Sequence, residues 1–265
     1  MNRFDLDHPM YAHMIAEPAT RTVPPMSVLR KTFPASVDLS TNAALPIIET
    51  EPYPGNSWSI SNETLAAIHA ASPNFRLFIE IGTFIGQGVL AISDYFAAEK
   101  IKCPIVTVDT YAGTLLIGVD MNAHRHGFIR YFDRAVLGTM FTCRGLGETT
   151  FPVQATARDF FRKFYYLGLN ASHIYLDASH EYLDTYEEMR LAWECVEDGG
   201  VLSGDDYNWP TVKAAVDRFC YERRLLYQVT SGRTNNGITA LQWVIAAKNT
   251  RERHDDAAHL NKAVP

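Results

Sequence analysis

Little in this chain points to metal–thiolate chemistry, a membrane or nucleic acid. Its four cysteines, Cys103, Cys143, Cys195 and Cys220, lie far apart and form no Cys-x-x-Cys pair. That pattern argues against a zinc knuckle or a disulfide framework and for free thiols in a reducing cytoplasm. No run approaches the roughly 20 consecutive apolar residues that a membrane-spanning helix needs. The first residues, Met1 to Ala16, mix acidic, basic and histidine side chains without an apolar centre, which does not read as a signal peptide. Basic residues are in deficit: the formal charge is −6, the opposite of a surface built to neutralise phosphates. There is no internal repeat, no low-complexity tract, no Gly-x-Gly-x-x-Gly and no glycine loop ending in Lys-Ser/Thr. What remains is a soluble globular chain of 265 residues, enough for one full core with decorations.

Prolines cluster at the start. Pro18, Pro24, Pro25, Pro34, Pro46, Pro52 and Pro54 exclude any long helix there. Residues 1–60 therefore read as an arm or cap laid on a main domain over 61–247, with a polar, frayed tail from Lys248 to 265. Ser61-Asn62-Glu63 opens a helix to Ala71, with Leu65, Ile68 and Ala71 on one face.

From Arg76 on, short apolar runs alternate with helical segments. Strands are expected at Leu77–Ile81, Ile105–Val108, Phe151–Gln154, around Ile174 and around Val201. Helices are expected at Gly88–Phe96, around Phe128–Val136, at Ala157–Leu167, at Asp184–Val196 and from Pro210 to Glu222. Asp184 begins a capping-box-like Asp-Thr-Tyr-Glu, Gly199-Gly200 closes that segment, and Pro210 suits a first helical turn. Two late runs, Leu225–Thr230 and Thr239–Ala246, flank Gly232-Arg233-Thr234-Asn235-Asn236-Gly237 and read as an antiparallel hairpin. This alternation implies an α/β fold: a doubly wound, Rossmann-like, mostly parallel sheet of seven strands with an antiparallel last strand.

Such sheets bind ligands beyond the carboxyl ends of their strands. Glu80, Asp109, Asp177, Asp205 and Asp206 all fall at or just past those ends. Asp177-Ala178-Ser179-His180 follows one strand and Gly204-Asp205-Asp206 the next, so three carboxylates and an imidazole meet at one edge. That set suits a hard divalent cation with a base beside it. Asp205-Asp206 also has a plainer reading, as a cap for the helix at Pro210, and His180 one as a loop histidine. His124, His126, Tyr111, Tyr207 and Trp209 are candidates for a substrate lid or wall, and equally for ordinary loop and packing residues.

The first strand leads into Glu80-Ile81-Gly82-Thr83-Phe84-Ile85-Gly86-Gln87-Gly88. Glycines there let the backbone turn sharply and come close to a ligand at a helix start. Asp109, ending the next strand, is placed to accept hydrogen bonds from the ribose hydroxyls of a nucleoside cofactor.

Glu-x-Gly-x-x-x-Gly followed by an acidic second-strand end resembles the class I S-adenosylmethionine-dependent methyltransferases. The Asp177-x-x-His180 and Asp205-Asp206 motifs resemble their metal-dependent O-methyltransferases, both the catechol type and the group acting on sugars of antibiotics. The resemblance spans about residues 60–247. It implies Asp177, Asp205 and Asp206 as Mg²⁺ ligands and His180 as the catalytic base. It implies contacts to S-adenosylmethionine from Glu80, Gly82, Thr83, Gly86 and Asp109, with Arg158, Asp159 and Ala178 near the adenine. The catechol-type pattern has Asp-Asn where this chain has Asp205-Asp206, and a lysine where it has His180. Both departures favour a sugar or other aliphatic hydroxyl on a small molecule. Two other readings compete: a nicotinamide-dependent oxidoreductase of similar fold, which the missing Gly-x-Gly-x-x-Gly disfavours, and a non-catalytic cofactor-binding scaffold or regulator. A homo-oligomer, with the arm packed across it, stays open.

Overall fold

The computed structural model describes residues 22–33, 59–84, 86–111, 134–235 and 238–248. Seven strands form one sheet: β1 Phe78–Ile81, β2 Ile105–Asp109, β3 Thr150–Gln154, β4 Ala171–Leu176, β5 Val196–Gly204, β6 Tyr227–Asn235 and β7 Ile238–Ile245. Their order is β3-β2-β1-β4-β5-β7-β6. The first five strands in that order pair in parallel, while β7 runs antiparallel to both β5 and β6. This is the expected doubly wound sheet. The chain reverses its direction of winding between β1 and β4, where folds of this kind leave a crevice.

Seven helices are described: α1 Met26–Thr32, α2 Asn62–Ala71, α3 Gln87–Ala98, α4 Arg134–Cys143, α5 Ala157–Tyr166, α6 Tyr182–Cys195 and α7 Pro210–Arg223. Alternate strand residues feed two cores, one on each face. Ile79, Ile81, Ile174, Leu176, Leu202 and Trp243 pack with Leu29 of α1, Phe160 of α5, Met189 of α6 and Phe219 of α7. Phe78, Tyr175, Val201 and Val244 pack with Leu65 of α2, Ile92 of α3 and Phe141 of α4. Both faces of β1 and β4 are buried, with Glu80, Ser172 and His173 as the polar residues among them.

Several boundaries differ from expectation. Helix α6 begins at Tyr182 with Glu181 at its N-cap and no side-chain cap, so Asp184 lies within the first turn. It ends at Cys195, and Val196 already has extended dihedrals at the start of β5. Gly199-Gly200 therefore lies in a strand. The capping expected of the glycines comes from Lys248 instead: its Nζ donates to the carbonyls of Trp193 and Val196, each at 2.6 Å. Lys248 is buried, which corrects the expectation of a frayed tail at that position. Gly232 to Asn235, expected as turn, belongs to β6, which absorbs a register shift between Ser231 and Thr234. The helix expected at Phe128–Val136 is described only from Arg134 and continues to Cys143; residues 112–133, with His124 and His126, lie outside the described residues. Pro210 occupies the first turn of α7 as expected.

Towards the amino end of the central strand β4, away from the acidic cluster, His173 is buried. Its Nδ1 lies 2.9 Å from Ser172 Oγ, its Nε2 lies 3.0 Å from the Ser72 carbonyl, and its ring stacks on Phe75 at 3.9 Å. Burial pushes its pKa down to about 4. The folded protein thus keeps His173 neutral while the unfolded chain takes up a proton below about 6.5. This contribution to stability is present above pH 6.5 and is lost as pH falls towards 4, a drop of about 3 kcal/mol. In urea unfolding, His173→Gln should show an acid-side loss smaller by about that amount. Equal losses in both proteins would refute the assignment.

Candidate functional site

The carboxyl ends of β1, β2, β4 and β5 lie level, because Ile81 pairs with Val108 on one side and Leu176 on the other, and Leu176 pairs with Gly204. The residues that follow each strand are therefore neighbours.

After β1 the chain turns through Gly82–Gly86 into α3. Gly82 has φ +92°, and a Cβ there would stand 1.8 Å from the carbonyl oxygen of Asp177. Glycine is required by that close approach, which also fixes the turn against the end of β4. Gly86 caps α3 with φ +83°. The third glycine serves packing: a Cβ on Gly88 would meet Glu80 Oε1 at 1.8 Å.

Glu80 does not reach the crevice edge; it sits within β1, 1% exposed. Thr107 Oγ1 donates to its Oε2 at 2.9 Å, and the Thr83 hydroxyl pairs with Thr107 in turn. Burial pushes the Glu80 carboxyl up to about 8, with the nearby Asp109 adding to the rise. The folded state therefore holds Glu80 neutral where the unfolded chain ionises it. Its contribution to stability is complete below pH 4.5 and is lost as pH rises towards 8, by a few kcal/mol, or about 1.4 kcal/mol per pH unit. Glu80→Gln should be more stable than the native chain at pH 8 and should lose this alkaline decline in thermal unfolding. A variant that declines in parallel with the native chain would contradict the neutral carboxyl.

Asp109, at the end of β2, is half-buried. Its Oδ2 accepts from the Phe84 amide at 2.9 Å and its Oδ1 from the Tyr111 amide at 2.8 Å. The Thr110 hydroxyl also reaches Oδ1, at 3.5 Å, while Oδ2 retains a second lone pair for a ligand hydroxyl. Arg158 and Asp159 are both exposed on the first turn of α5. Asp159 completes a capping box there: Thr156 Oγ1 accepts from its amide at 3.1 Å and donates to its Oδ2 at 2.9 Å. Ala178 is half-buried beside Asp177.

At the ends of β4 and β5, Asp177, His180 and Asp206 bring ligand atoms to within 4.8 Å of one another. His180 Nε2 lies 2.6 Å from Asp206 Oδ2, and the imidazole rests against Trp209 with 4.7 Å between ring centroids. The hydrogen bond to Asp206 raises the His180 pKa above its ordinary 6.5, against the opposing effect of burial. An ionised Asp206 can only accept, so Nε2 carries the hydrogen and a neutral His180 has Nδ1 as its acceptor. Asp206 holds φ +58°, uncommon for a residue with a side chain.

Asp205 stands behind this trio. Its Oδ1 accepts from the Asp206 amide at 2.7 Å and its Oδ2 from Gln242 Nε2 at 3.0 Å. Burial and the adjacent Asp206 push its carboxyl up to about 6. Burial raises Asp177 well above the carboxylate range, and Asp205, Asp206, Glu80 and Asp109 reinforce the effect. Carboxylates this close resist ionising together unless a positive charge joins them. Neither Asp205 nor Asp206 caps α7 with its side chain: the helix has Trp209 at its N-cap without a side-chain bond.

Glu188 on α6 was not anticipated. It lines a small cavity with Asp177, Ser179, Thr185, Asp205 and Asp206. Burial pushes its carboxyl up to about 7 although it accepts the Ser179 amide hydrogen. Its spacing was informative: it lies three residues after the buried Thr185, on the inward stripe of α6 that continues through Met189 and Ala192. Tyr111 and Tyr207 are buried, and the Tyr207 hydroxyl bonds Asp217 and Tyr227, so both are packing residues.

A methyltransferase-domain family matches residues 79–207, from β1 past the acidic pair. Over that segment the chain is similar to a methyltransferase domain. The match covers the glycine turn, Asp109 and the whole acidic cluster. Comparison with curated protein sequences finds no match. Among solved structures, the chain is similar to the O-methyltransferase TomG from Streptomyces achromogenes, at 14% identity over 69% of this chain and 77% of that one, with a TM-score of 0.48. It is also similar to an O-methyltransferase from Bacillus cereus, at 16% identity over 85% of this chain and 93% of that one, with a TM-score of 0.47. The O-methyltransferase NovP is 17% identical over 67% of this chain and 74% of that one, with a TM-score of 0.48. Similarities this weak carry no argument about substrate, and the family match to residues 79–207 is the finding that bears on function. No helix among the described residues is long and apolar enough to cross a membrane.

Proposed function

We propose that the chain is an S-adenosylmethionine-dependent O-methyltransferase that uses a divalent cation, Mg²⁺ by the hardness of its ligands, to methylate a hydroxyl on a small molecule such as a sugar or glycoside. The observation that carries this reading is the convergence of Asp177, His180 and Asp206 within 4.8 Å, next to a turn held open by Gly82. The carboxylates of this set suit Mg²⁺, and the crowding that raises Asp177 is what a cation would relieve. The turn at Gly82 and the spare lone pair on Asp109 Oδ2 fit a nucleoside cofactor. All four cysteines are free thiols, in keeping with work in the cytoplasm.

When bound, S-adenosylmethionine supplies a methyl group on an electrophilic sulfonium, and a divalent cation lowers the proton affinity of a hydroxyl beside it. The protein's own residues do the rest. Asp109 accepts a hydrogen bond from a ribose hydroxyl, and Gly82 leaves the backbone bare beside the cofactor. Asp206 holds His180 through Nε2, so that Nδ1 takes the proton from the acceptor hydroxyl; the same carboxylate then stabilises the imidazolium. Asp177, Asp206 and Asp205 present the negative charge that a cation requires.

Methyl transfer from labelled S-adenosylmethionine to a panel of sugars, glycosides and catechols, with and without a chelator, tests the proposal. Transfer to an aliphatic hydroxyl that stops on chelation and returns with Mg²⁺ is the expected result. Transfer that persists after exhaustive chelation would refute the role of the cation.

A further inference from the structure

Behind the acidic cluster lies a buried polar network that the chemistry above does not use. Gln242 on β7 is fully buried in an otherwise apolar stretch, Leu241-Gln242-Trp243-Val244-Ile245. It faces the α2 side of the sheet, with Val244. Its Oε1 accepts from the Ser61 amide at 3.0 Å and from the Thr64 hydroxyl. Its Nε2 donates to Asp205 Oδ2 at 3.0 Å and to the Tyr175 hydroxyl at 2.8 Å, with the Ser59 carbonyl at 3.4 Å. Tyr175 hydrogen-bonds the same aspartate.

The orientation of this amide is forced. A backbone N–H can only donate, so the oxygen of Gln242 must face Ser61 and its NH₂ must face Asp205. With the Asp206 amide, Asp205 therefore receives three hydrogen bonds, from residues on β4, β7 and its own turn. A buried carboxylate held in this way has one orientation, and in it Asp205 lines the cavity shared with Asp177, Asp206 and Glu188. Groups that hydrogen-bond a ligating carboxylate from behind fix its direction, and their loss weakens the metal site.

We infer that Gln242 is a positioning residue: it fixes Asp205 against the wall of the cavity beside the Asp177–His180–Asp206 trio and ties that carboxylate to Ser59–Thr64, the segment entering α2. The inference rests on the cation reading above. It predicts that the cation site depends on a residue outside the 79–207 segment and on the register of α2 against β7.

The test measures Mn²⁺ binding to the full chain by electron paramagnetic resonance, without substrate, together with S-adenosylmethionine binding by calorimetry. Gln242→Met keeps the volume and removes the amide. Its Mn²⁺ affinity should fall by about 10- to 100-fold, with S-adenosylmethionine affinity changed by no more than about twofold. If Gln242→Met does not fold, Tyr175→Phe removes one donor to the same carboxylate while keeping the ring packed, and its Mn²⁺ affinity should fall in the same direction. Folded variants that bind Mn²⁺ as tightly as the native chain, even with a lower Tm, would overturn the inference while leaving the cation reading intact. A native chain that binds no Mn²⁺ would overturn both.

Discussion

His180→Ala should lower kcat for methyl transfer by about 10²- to 10⁴-fold, the usual worth of a positioned general base. Its affinity for S-adenosylmethionine should be unchanged, because His180 takes no part in the turn at Gly82 or in the hydrogen bonds of Asp109. The pH profile separates this role from a structural one. The Asp206 hydrogen bond raises the His180 pKa above 6.5, so the protonated, inactive form persists to higher pH and the native rate should climb as pH rises through that value. His180→Ala should lack this limb. Asp206→Asn, which removes the charge holding the imidazolium, should move it to lower pH. A variant with the native rate and the native profile would leave His180 as a loop residue packed on Trp209.

Gly82→Ala should destabilise the fold by about 3 kcal/mol, combining overpacking with a left-handed backbone. A Cβ at 1.8 Å from the Asp177 carbonyl oxygen and 2.5 Å from its carbon meets main chain, which cannot swing aside as a flexible side chain would. Either β1 and β4 part at their ends or the turn changes path. Both outcomes displace Asp177 and the cofactor turn together, so S-adenosylmethionine binding should be lost along with stability. Gly145→Ala is the control. It has φ +75° with nothing near its Cβ, and should cost only the conformational part, about 1–2 kcal/mol. Equal losses of stability in the two variants, measured by urea unfolding, would show that the close approach to Asp177 carries no weight.

The strand sequence was legible because both faces of the central strands are buried. Phe78-Ile79 and Ile174-Tyr175-Leu176 read as continuous apolar runs bounded by turn residues. Level strand ends then followed, and with them the nearness of Asp177, His180 and Asp206, whereas Asp205, expected as a metal ligand beside them, is not among the three groups that converge. Glu80 was harder to place. A carboxylate at the end of an apolar run looks ligand-facing, yet Thr107 and the space left by Gly88 let it turn inward. Helix α6 lies within two residues of its expected span, but its caps differ, since sequence rules assign them to nearby Asp and Gly, whereas Lys248 reaches Trp193 and Val196 from far along the chain. Nothing in the sequence singled out Gln242, because its partners at Ser61, Tyr175 and Asp205 are brought together by tertiary structure alone.

The most direct test of the account is a calorimetric titration of S-adenosylmethionine into the purified chain with Mg²⁺ present. The account predicts saturable binding at one site per chain, lost in Gly82→Ala and retained in His180→Ala. Absence of binding to folded native protein would contradict it, and would leave the acidic edge of this sheet in need of another ligand.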